Sequence, residues 1–449
     1  MNMLNKKICE FLEQAGPIFF VTPTVGRAIG LEKILPDFHI ICSQNSEDIE
    51  LLRKAGVKVF FLEKDIKNSG KLLADAQVLD YIKSNSLGKR ANIVTFKPSP
   101  MIEMICEKND FRYLGNDSKI NRDWEDKINF ANITTRLGVP NANSRIIKIE
   151  KELRADFLDF SKEEKYVVQF SRGYSGNSSF LVESQKDFEK ILENNIGRKI
   201  KIADYRNGDT YTFDVCIGDF GTLVSQPIFQ ISGFTEFNKN ILGTCGNDYS
   251  YGKNLSKEIK KELDLNIRKI SEELFRVGYR GILGFDFLVG EKKVDLIEVN
   301  PRLVGSVPVF TKLQISSGEM PFLLLHILCF LGFTFQDMEL EDVRRDFDFS
   351  QLILRNTFEQ IKIVEKAMPS GVYKIEGEKI VFERSDYFAD DKLAENEFFV
   401  TCASAGELVD SDMEYTNIQL ACGIMKEKNL FNKHFIKIKE EVLRKIILK

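Results

Sequence analysis

The stretch GFDFLVGEKKVDLIEVNPR (284–302) gathers the residues of this chain best suited to chemistry: Asp286, Glu298, Asn300 and Arg302. Residues two apart on a strand share a face. Asp286 therefore points away from its neighbours Phe285 and Phe287. On the following strand Leu296, Glu298 and Asn300 are expected on one face, with Ile297 and Val299 on the other. A tight turn at Glu291-Lys292 would pair the two strands and set Asp286 near Glu298 across the ladder. Carboxylates that face each other repel. A hard cation relieves this, and two carboxylates with an amide oxygen suit magnesium. Arg302, one residue beyond Pro301, carries a permanent charge on a fork that matches phosphate or carboxylate. Such a set describes a site where a phosphoryl group changes partners. A lone Asp and Glu on neighbouring strands are more often solvated; the added Asn and Arg at these spacings argue against that here.

The elements that must hold these residues are legible on both sides. PIFFVTP (17–23), FHIIC (38–42), KVFFLE (58–63) and NIVTF (92–96) read as buried strands. Between them lie a short helix capped by Ser46 and ending at Gly56, and helical spacing over Leu72–Ile82. Strands alternating with helices predict a doubly wound parallel sheet over residues 1–117. The segment TPTVGRAIG (22–30) lacks G-x-G-x-x-G and reads as a structural turn. A helix from about Trp124 to Leu137 stops at Gly138-Val139-Pro140. YVVQF (166–170), FLV (180–182), KIADY (201–205) and YTFDVCIG (211–218) read as strands, with the loop SRGYSGNSS (171–179) and a helix over Ser184–Asn194 among them. Ile259, Leu263, Ile267, Ile270, Leu274 and Val277 mark one face of a helix over Lys257–Val277. The stretch Phe229–Gly252, rich in Gly, Asn, Ser and Tyr, reads as a long loop, either a lid over a substrate or plain surface. Residues 118–340 then form a central domain. Residues 341–449 form a smaller β-rich module with a hairpin at 372–382, a strand at 397–403 and a basic C-terminal helix.

Composition sets limits. The chain has 449 residues, 43% hydrophobic and 29% charged, with a net charge of −4. That is ordinary for a globular protein, and no basic run suggests nucleic acid. The most apolar stretch, Met320–Phe333, is too short for a bilayer, which takes about 20 residues. It reads as a buried helix, and no membrane partner is expected. The start of the chain lacks a signal-peptide layout. None of the eight cysteines forms C-x-x-C, so free thiols in a reducing cytoplasm are expected. His39, His326 and His434 do not suggest a catalytic triad.

Asp286 followed by Glu298-Val299-Asn300-Pro301-Arg302 resembles the metal-binding signature of the ATP-grasp superfamily. Glu125-Asp126-Lys127 with its helix and GVPNA (138–142) resembles the helix that opens that fold. VVQFSRGYSGNSS (167–179) resembles its glycine-rich phosphate loop, and DYRNGDTYTFDV (204–215) its hinge. The N-terminal sheet matches the domain that usually precedes it. SAGELVD (404–410) and IQLACG (418–423) resemble the small β module found at the end of many members. The resemblance covers nearly the whole chain and implies an ATP-grasp fold of mixed α/β and α+β architecture. It further implies that Asp286, Glu298 and Asn300 hold one or two magnesium ions, with manganese as a substitute. Lys127, Gln169, Arg172, Gly173, Gly176, Asn177, Ser178, Ser179, Asp204, Tyr205 and Asp209 would meet ATP. Arg302 would be catalytic, and with Gly305 and Ser306 would meet the substrate.

Three positions depart from the family pattern. Gln169 stands where a lysine is usual, and Ala203 and Thr210 stand where acids are usual at the hinge; Arg172 is a candidate for the missing charge. The activity implied is that of a carboxylate–amine ligase, joining small carboxylates and amines such as amino acids or short peptides through an acyl phosphate. The layout is also one often found in homodimers. Two rivals are a ligase with a thiol or bicarbonate-derived partner and a nucleotide-binding regulator without catalysis. Leu303-Val304-Gly305-Ser306 after the signature argues against a biotin-dependent carboxylase.

Overall fold

The near-continuous apolar runs at the start of the chain pair as a parallel sheet in the computed structural model. It describes residues 6–449 except 152, 155–156, 161–163, 172–178, 292, 337, 344, 378 and 390–391. Strands β1 (Ile18–Val21), β2 (Phe38–Cys42), β3 (Lys58–Phe61), β4 (Asn92–Thr95) and β5 (Arg112–Tyr113) lie in the order β3-β2-β1-β4-β5. Every pair is parallel. Strands β1, β2 and β4 are buried along their whole length, as strands covered on both faces are. The chain runs outward from β1 to β3 and then returns to the other side as β4. The crevice between the loops after β1 and β4 is therefore the topological switch point of this sheet. The first of those loops is a short 3-10 turn, Val25–Ala28.

Local capping refines two of the expected helices. The stretch 72–82 belongs to two helices, Ser69–Leu73 and Ala76–Asn85, because the Asp75 carboxylate caps the second by accepting from Gln77 N at 3.0 Å. The helix expected from Trp124 onward is likewise broken, into Ser118–Glu125 and Lys127–Leu137. There the Asp126 carboxylate accepts from Ile128 N at 3.0 Å and Asn129 N at 3.1 Å. Gly138 ends the second helix in the left-handed conformation.

Two antiparallel sheets follow. The smaller holds β6 (Ser144–Lys148), β7 (Tyr166–Phe170), β8 (Ser179–Val182) and β9 (Lys199–Asp204) in the order β6-β9-β7-β8. The larger begins with β10 (Asp209–Gly218), β11 (Gly221–Val224), β12 (Ile228–Ser232), β13 (Thr244–Asp248), β14 (Gly281–Val289) and β15 (Val294–Asn300). Its order is β15-β14-β10-β12-β13, with β11 beside β10. The helix Lys257–Arg276 packs on it through Leu263, Ile267, Ile270 and Leu274. Val277 does not join that face; it is the C-terminal cap and is half exposed.

The expected long loop at 229–252 is corrected in part by this sheet, since β12 takes its first residues and β13 follows at Thr244–Asp248, leaving 233–243 as the connection. Its composition misleads because Gly246 has φ +143°, and a Cβ there would lie 2.0 Å from Gln351 O on the neighbouring strand. A close backbone approach, and not a flexible turn, requires that glycine. The C-terminal strands extend the same sheet. Ser350–Arg355 pairs with β13, and Glu414–Leu420, Glu397–Cys402, Gly371–Glu376 and Lys379–Ser385 follow in space. We propose residues 1–117, 118–340 and 341–449 as units of sequence, with the last two sharing one sheet.

The apolar helix Phe322–Leu331 is buried against β14 and β10. No single helix among the described residues is long and apolar enough to cross a membrane. His326, within it, accepts from Ile282 N–H on Nδ1 at 3.1 Å and donates Nε2–H to Leu114 O at 3.1 Å, a tautomer assigned from these partners. Burial pushes its pKa down to about 4. The ring thus ties the end of the first sheet to the start of β14, which carries Asp286. Gly281, at φ +84°, leaves the room: a Cβ there would lie 2.2 Å from Nδ1.

Candidate active site

An extra residue in β15 assembles the site. Asp286 pairs with Glu298, but the next pair is Phe287 with Leu296, leaving Ile297 as the bulged residue. The face reading for Leu296 is therefore corrected. It turns into the core with Val299 and Phe287, while Glu298 and Asn300 keep the face of Asp286. Thr212 of β10 sits opposite Asp286 on its other side. The turn after β15 folds back over Gly284, where a Cβ would meet Val304 Cγ1 at 2.7 Å.

Hydrogen bonds join the predicted residues. Asn300 Nδ2 donates to Asp286 Oδ2 and to Glu298 Oε1, each at 3.1 Å. Its oxygen accepts from Arg302 Nη2 at 2.9 Å. The amide nitrogen, and not the expected amide oxygen, faces the carboxylates, since two like charges need a donor between them. Lys127 Nζ donates to Glu298 Oε2 at 2.7 Å, and Gln230 Nε2 donates to Asp286 Oδ1 at 2.6 Å. Burial and the facing Glu298 raise the pKa of Asp286. Burial would raise Glu298 too, but Lys127 and Asn300 hold it well below the usual range. Burial disfavours the Lys127 ammonium, yet Glu298 more than restores it and raises its pKa.

The break at Asp126 explains why three successive residues reach three tasks. Glu125 ends one helix and accepts from Arg302 Nε at 2.7 Å while pairing with Lys97. Asp126 caps the next helix. Lys127 opens it and reaches Glu298, its backbone N–H donating to Ser171 O at 2.9 Å.

The other expected residues divide. Gln169 is buried and donates to Ser179 Oγ at 2.9 Å. Arg172, Gly173, Gly176, Asn177 and Ser178 lie outside the described residues. Asp204 is exposed at the end of β9, and its amide donates to Asn143 O at 3.3 Å, as that of Tyr205 does to Lys165 O at 2.9 Å. Those two N–H groups are engaged within the chain. Asp209 takes the side of Tyr211 and Phe213, away from Asp286, and pairs with Lys428 at 3.6 Å. Ser306 donates to Asp214 Oδ1 at 2.6 Å in the buried interior, while Gly305 lies open on the turn.

Several site residues escape the sequence reading. Lys201 of β9 pairs with Gln169 and is 3% exposed, and its ammonium makes no hydrogen bond or ion pair with a described residue. Burial and the nearby Lys127 lower its pKa to about 8, with Glu298 opposing. Asp214 is fully buried with one oxygen unpaired, and burial pushes its pKa to about 7 against the Ser306 hydrogen bond. Thr212 and Asp214 share a face opposite to Tyr211, Phe213 and Val215, an alternation that could have flagged both.

The donor set fits a hard divalent cation. Among the described residues no three His, Cys, Asp or Glu side chains cluster as metal ligands. Asp286 and Glu298 are left as the charged pair, with an Asn300 amide that presents oxygen after a half turn. All ligands are then oxygen, as magnesium prefers.

Residues 124–306 match the family of ATP-grasp domains. The arginine-specific large chain of carbamoyl phosphate synthase from Bacillus subtilis is 24% identical over 196 residues, which are 42% of this chain and 18% of that protein. The chain thus spans under a fifth of that relative's length. Among solved structures, biotin carboxylase from Campylobacter jejuni superposes with a TM-score of 0.61 at 15% identity, covering 97% of this chain and 92% of that one. Phosphoribosylamine–glycine ligase from Thermotoga maritima gives 0.60 at 14% identity, covering 96% and 97%. The biotin carboxylase domain of Hydrogenobacter thermophilus 2-oxoglutarate carboxylase, solved with MgADP and bicarbonate, gives 0.60 at 13% identity, covering 97% and 90%. At these identities the structures share its fold.

Proposed function

We propose that this ATP-grasp protein is an ATP- and magnesium-dependent carboxylate–amine ligase that joins a small carboxylate to an amine through an acyl phosphate. The observation that carries the reading is the closed set Asp286, Glu298 and Asn300, held by Lys127 and Gln230, with Arg302 fixed beside it by Glu125. Asp286, Glu298 and Asn300 would hold magnesium, which supplies charge neutralisation for the phosphates of ATP. Lys127 and Lys201 set cationic groups on the side of the smaller sheet, where Gln169 brings none. Arg302, locked in orientation by Glu125 and Asn300, would stabilise charge on the transferring group. The carboxylate attacks the γ-phosphorus, ADP leaves, and the amine then displaces phosphate from the acyl carbon. The solved relatives named above include a glycine-joining ligase and carboxylases, so the chemistry after activation rests on the nucleophile. Amino acids or short peptides as substrates, a cytoplasmic location and a homodimer belong to the same proposal; the eight free cysteines support the location.

Hydroxylamine trapping tests the activation step. With MgATP and hydroxylamine, a panel of carboxylates is expected to give hydroxamate with one member or a small group. ATP cleavage that needs no carboxylate and yields no hydroxamate contradicts the proposal.

A further inference from the structure

A set of arginines stands beside this site that the chemistry above does not use. Arg27 lies in the turn after β1, and Phe96 directly follows β4. Both therefore border the switch-point crevice, the place where sheets of this kind receive ligands. The Arg27 guanidinium lies 4.4 Å from the centre of the Phe96 ring, and that of Arg302 lies 5.5 Å from it. The crevice thus opens onto the metal pair through Arg302. A third guanidinium, Arg355, arrives from the strand Ser350–Arg355. One carboxylate, Glu414, serves both Arg355 (2.9 Å) and Arg27 (3.8 Å).

That shared partner leaves donors over. Arg355 gives Nη2 to Glu414 and Nη1 to Asp412 O at 3.3 Å, while its Nε is buried with no partner. The side chain of Arg27 has no hydrogen bond to a described residue and is 36% exposed. Burial disfavours the Arg27 charge, Glu414 supports it, and Arg302 and Arg355 are close enough to repel it. Guanidiniums gathered with spare forked donors match an oxyanion, which both neutralises them and accepts bidentately.

We propose that a substrate of this enzyme carries an oxyanion group, carboxylate or phosphate, that docks on Arg27 and Arg355 in the switch-point crevice beside Arg302. This rests on the ligase reading for the word substrate, but the docking is measurable without turnover. Its effect is to anchor the substrate by a group remote from the reacting atoms, so that binding there orients the other end toward the metal pair.

The test is calorimetric titration of the full chain loaded with MgADP. Glutarate is the dicarboxylate probe and ribose 5-phosphate the phosphate probe. At least one is expected to bind, and the one that binds tells the two oxyanions apart. Arg27→Gln is expected to weaken it by about 10- to 100-fold, the worth of a lost charge-assisted hydrogen bond. Arg355→Lys keeps the charge but loses the fork and should also weaken it, while MgADP binds Arg27→Gln as it binds the wild type. If neither probe binds the wild type, or if Arg27→Gln binds the probe unchanged, the proposal is overturned. Failure of the ligase reading appears elsewhere, as MgADP that does not bind or carboxylates that give no hydroxamate.

Discussion

Lys201 carries a charge that its described surroundings do not balance. A buried ammonium without a partner is unfavourable for the fold, and a nucleotide phosphate would supply the missing anion. Lys201→Met should therefore raise the thermal midpoint of the ligand-free protein and weaken MgATP binding by about 10- to 100-fold. Unfolding followed by calorimetry, with and without MgATP, checks both; a lower midpoint with unchanged affinity contradicts this role. The sequence hides Lys201 because KIKIAD alternates like a half-exposed strand, and Lys199 on the same strand is indeed exposed. Only the folded chain, in which Lys201 is buried near Lys127 and Glu298, shows that one of the two is enclosed. Asp286, Glu298, Asn300 and Arg302 were legible because their spacing alone brings them together on paired strands. The orientation of the Asn300 amide was not, since it depends on which groups compete for it.

At the scale of elements, the bulge at Ile297 decides which side chains face the site. Alternation in VDLIEVN gives no sign of it, because Leu296 and Ile297 are both apolar and either could face the core. Deleting Ile297 would give a regular ladder with Asp286 still opposite Glu298 and Phe287 opposite Leu296, but without the bend and added twist that the bulge gives the strand. We expect that deletion to weaken MgADP binding even where the protein still folds, a result that circular dichroism and calorimetry together can read; unchanged affinity would mean that the bend does not aim these side chains. The helix Phe322–Leu331 gives a second prediction through His326. Its folded pKa of about 4 lies below the reference value of 6.5, so the unfolded chain binds the proton first as pH falls. Stability from the neutral ring is complete above pH 6.5 and is lost between there and about 4, by about 3 kcal/mol at most. Urea titrations across this window should show the loss in the wild type and a flatter curve in His326→Gln. Parallel curves would mean that the ring is not held neutral.

The whole molecule is joined more closely than its sequence suggests. A run of strands after residue 350 announces a β-rich module, but no local pattern says whose edge it will extend. In the structure it continues the sheet that bears Asp286 and Glu298. Asp248 of β13 depends on it: its carboxylate accepts from Ile424 N at 2.8 Å and Met425 N at 2.9 Å. A chain cut after residue 340 would expose the β13 edge and strand that buried carboxylate. We expect the truncated chain to aggregate when expressed, with light scattering as the measure; a soluble, cooperatively melting product would show that the central unit stands alone. The parallel sheet was more readily seen, because its buried strands are short apolar runs separated by helices. Its switch-point crevice could be located only once the strand order was known.

The most direct test of the central claim is phosphate release from MgATP across paired carboxylates and amines, with Glu298→Gln beside the wild type. The account predicts release that requires one particular carboxylate, an amide product that requires the amine, and loss of both in Glu298→Gln. Turnover that persists in Glu298→Gln, or that ignores the carboxylate, would contradict it.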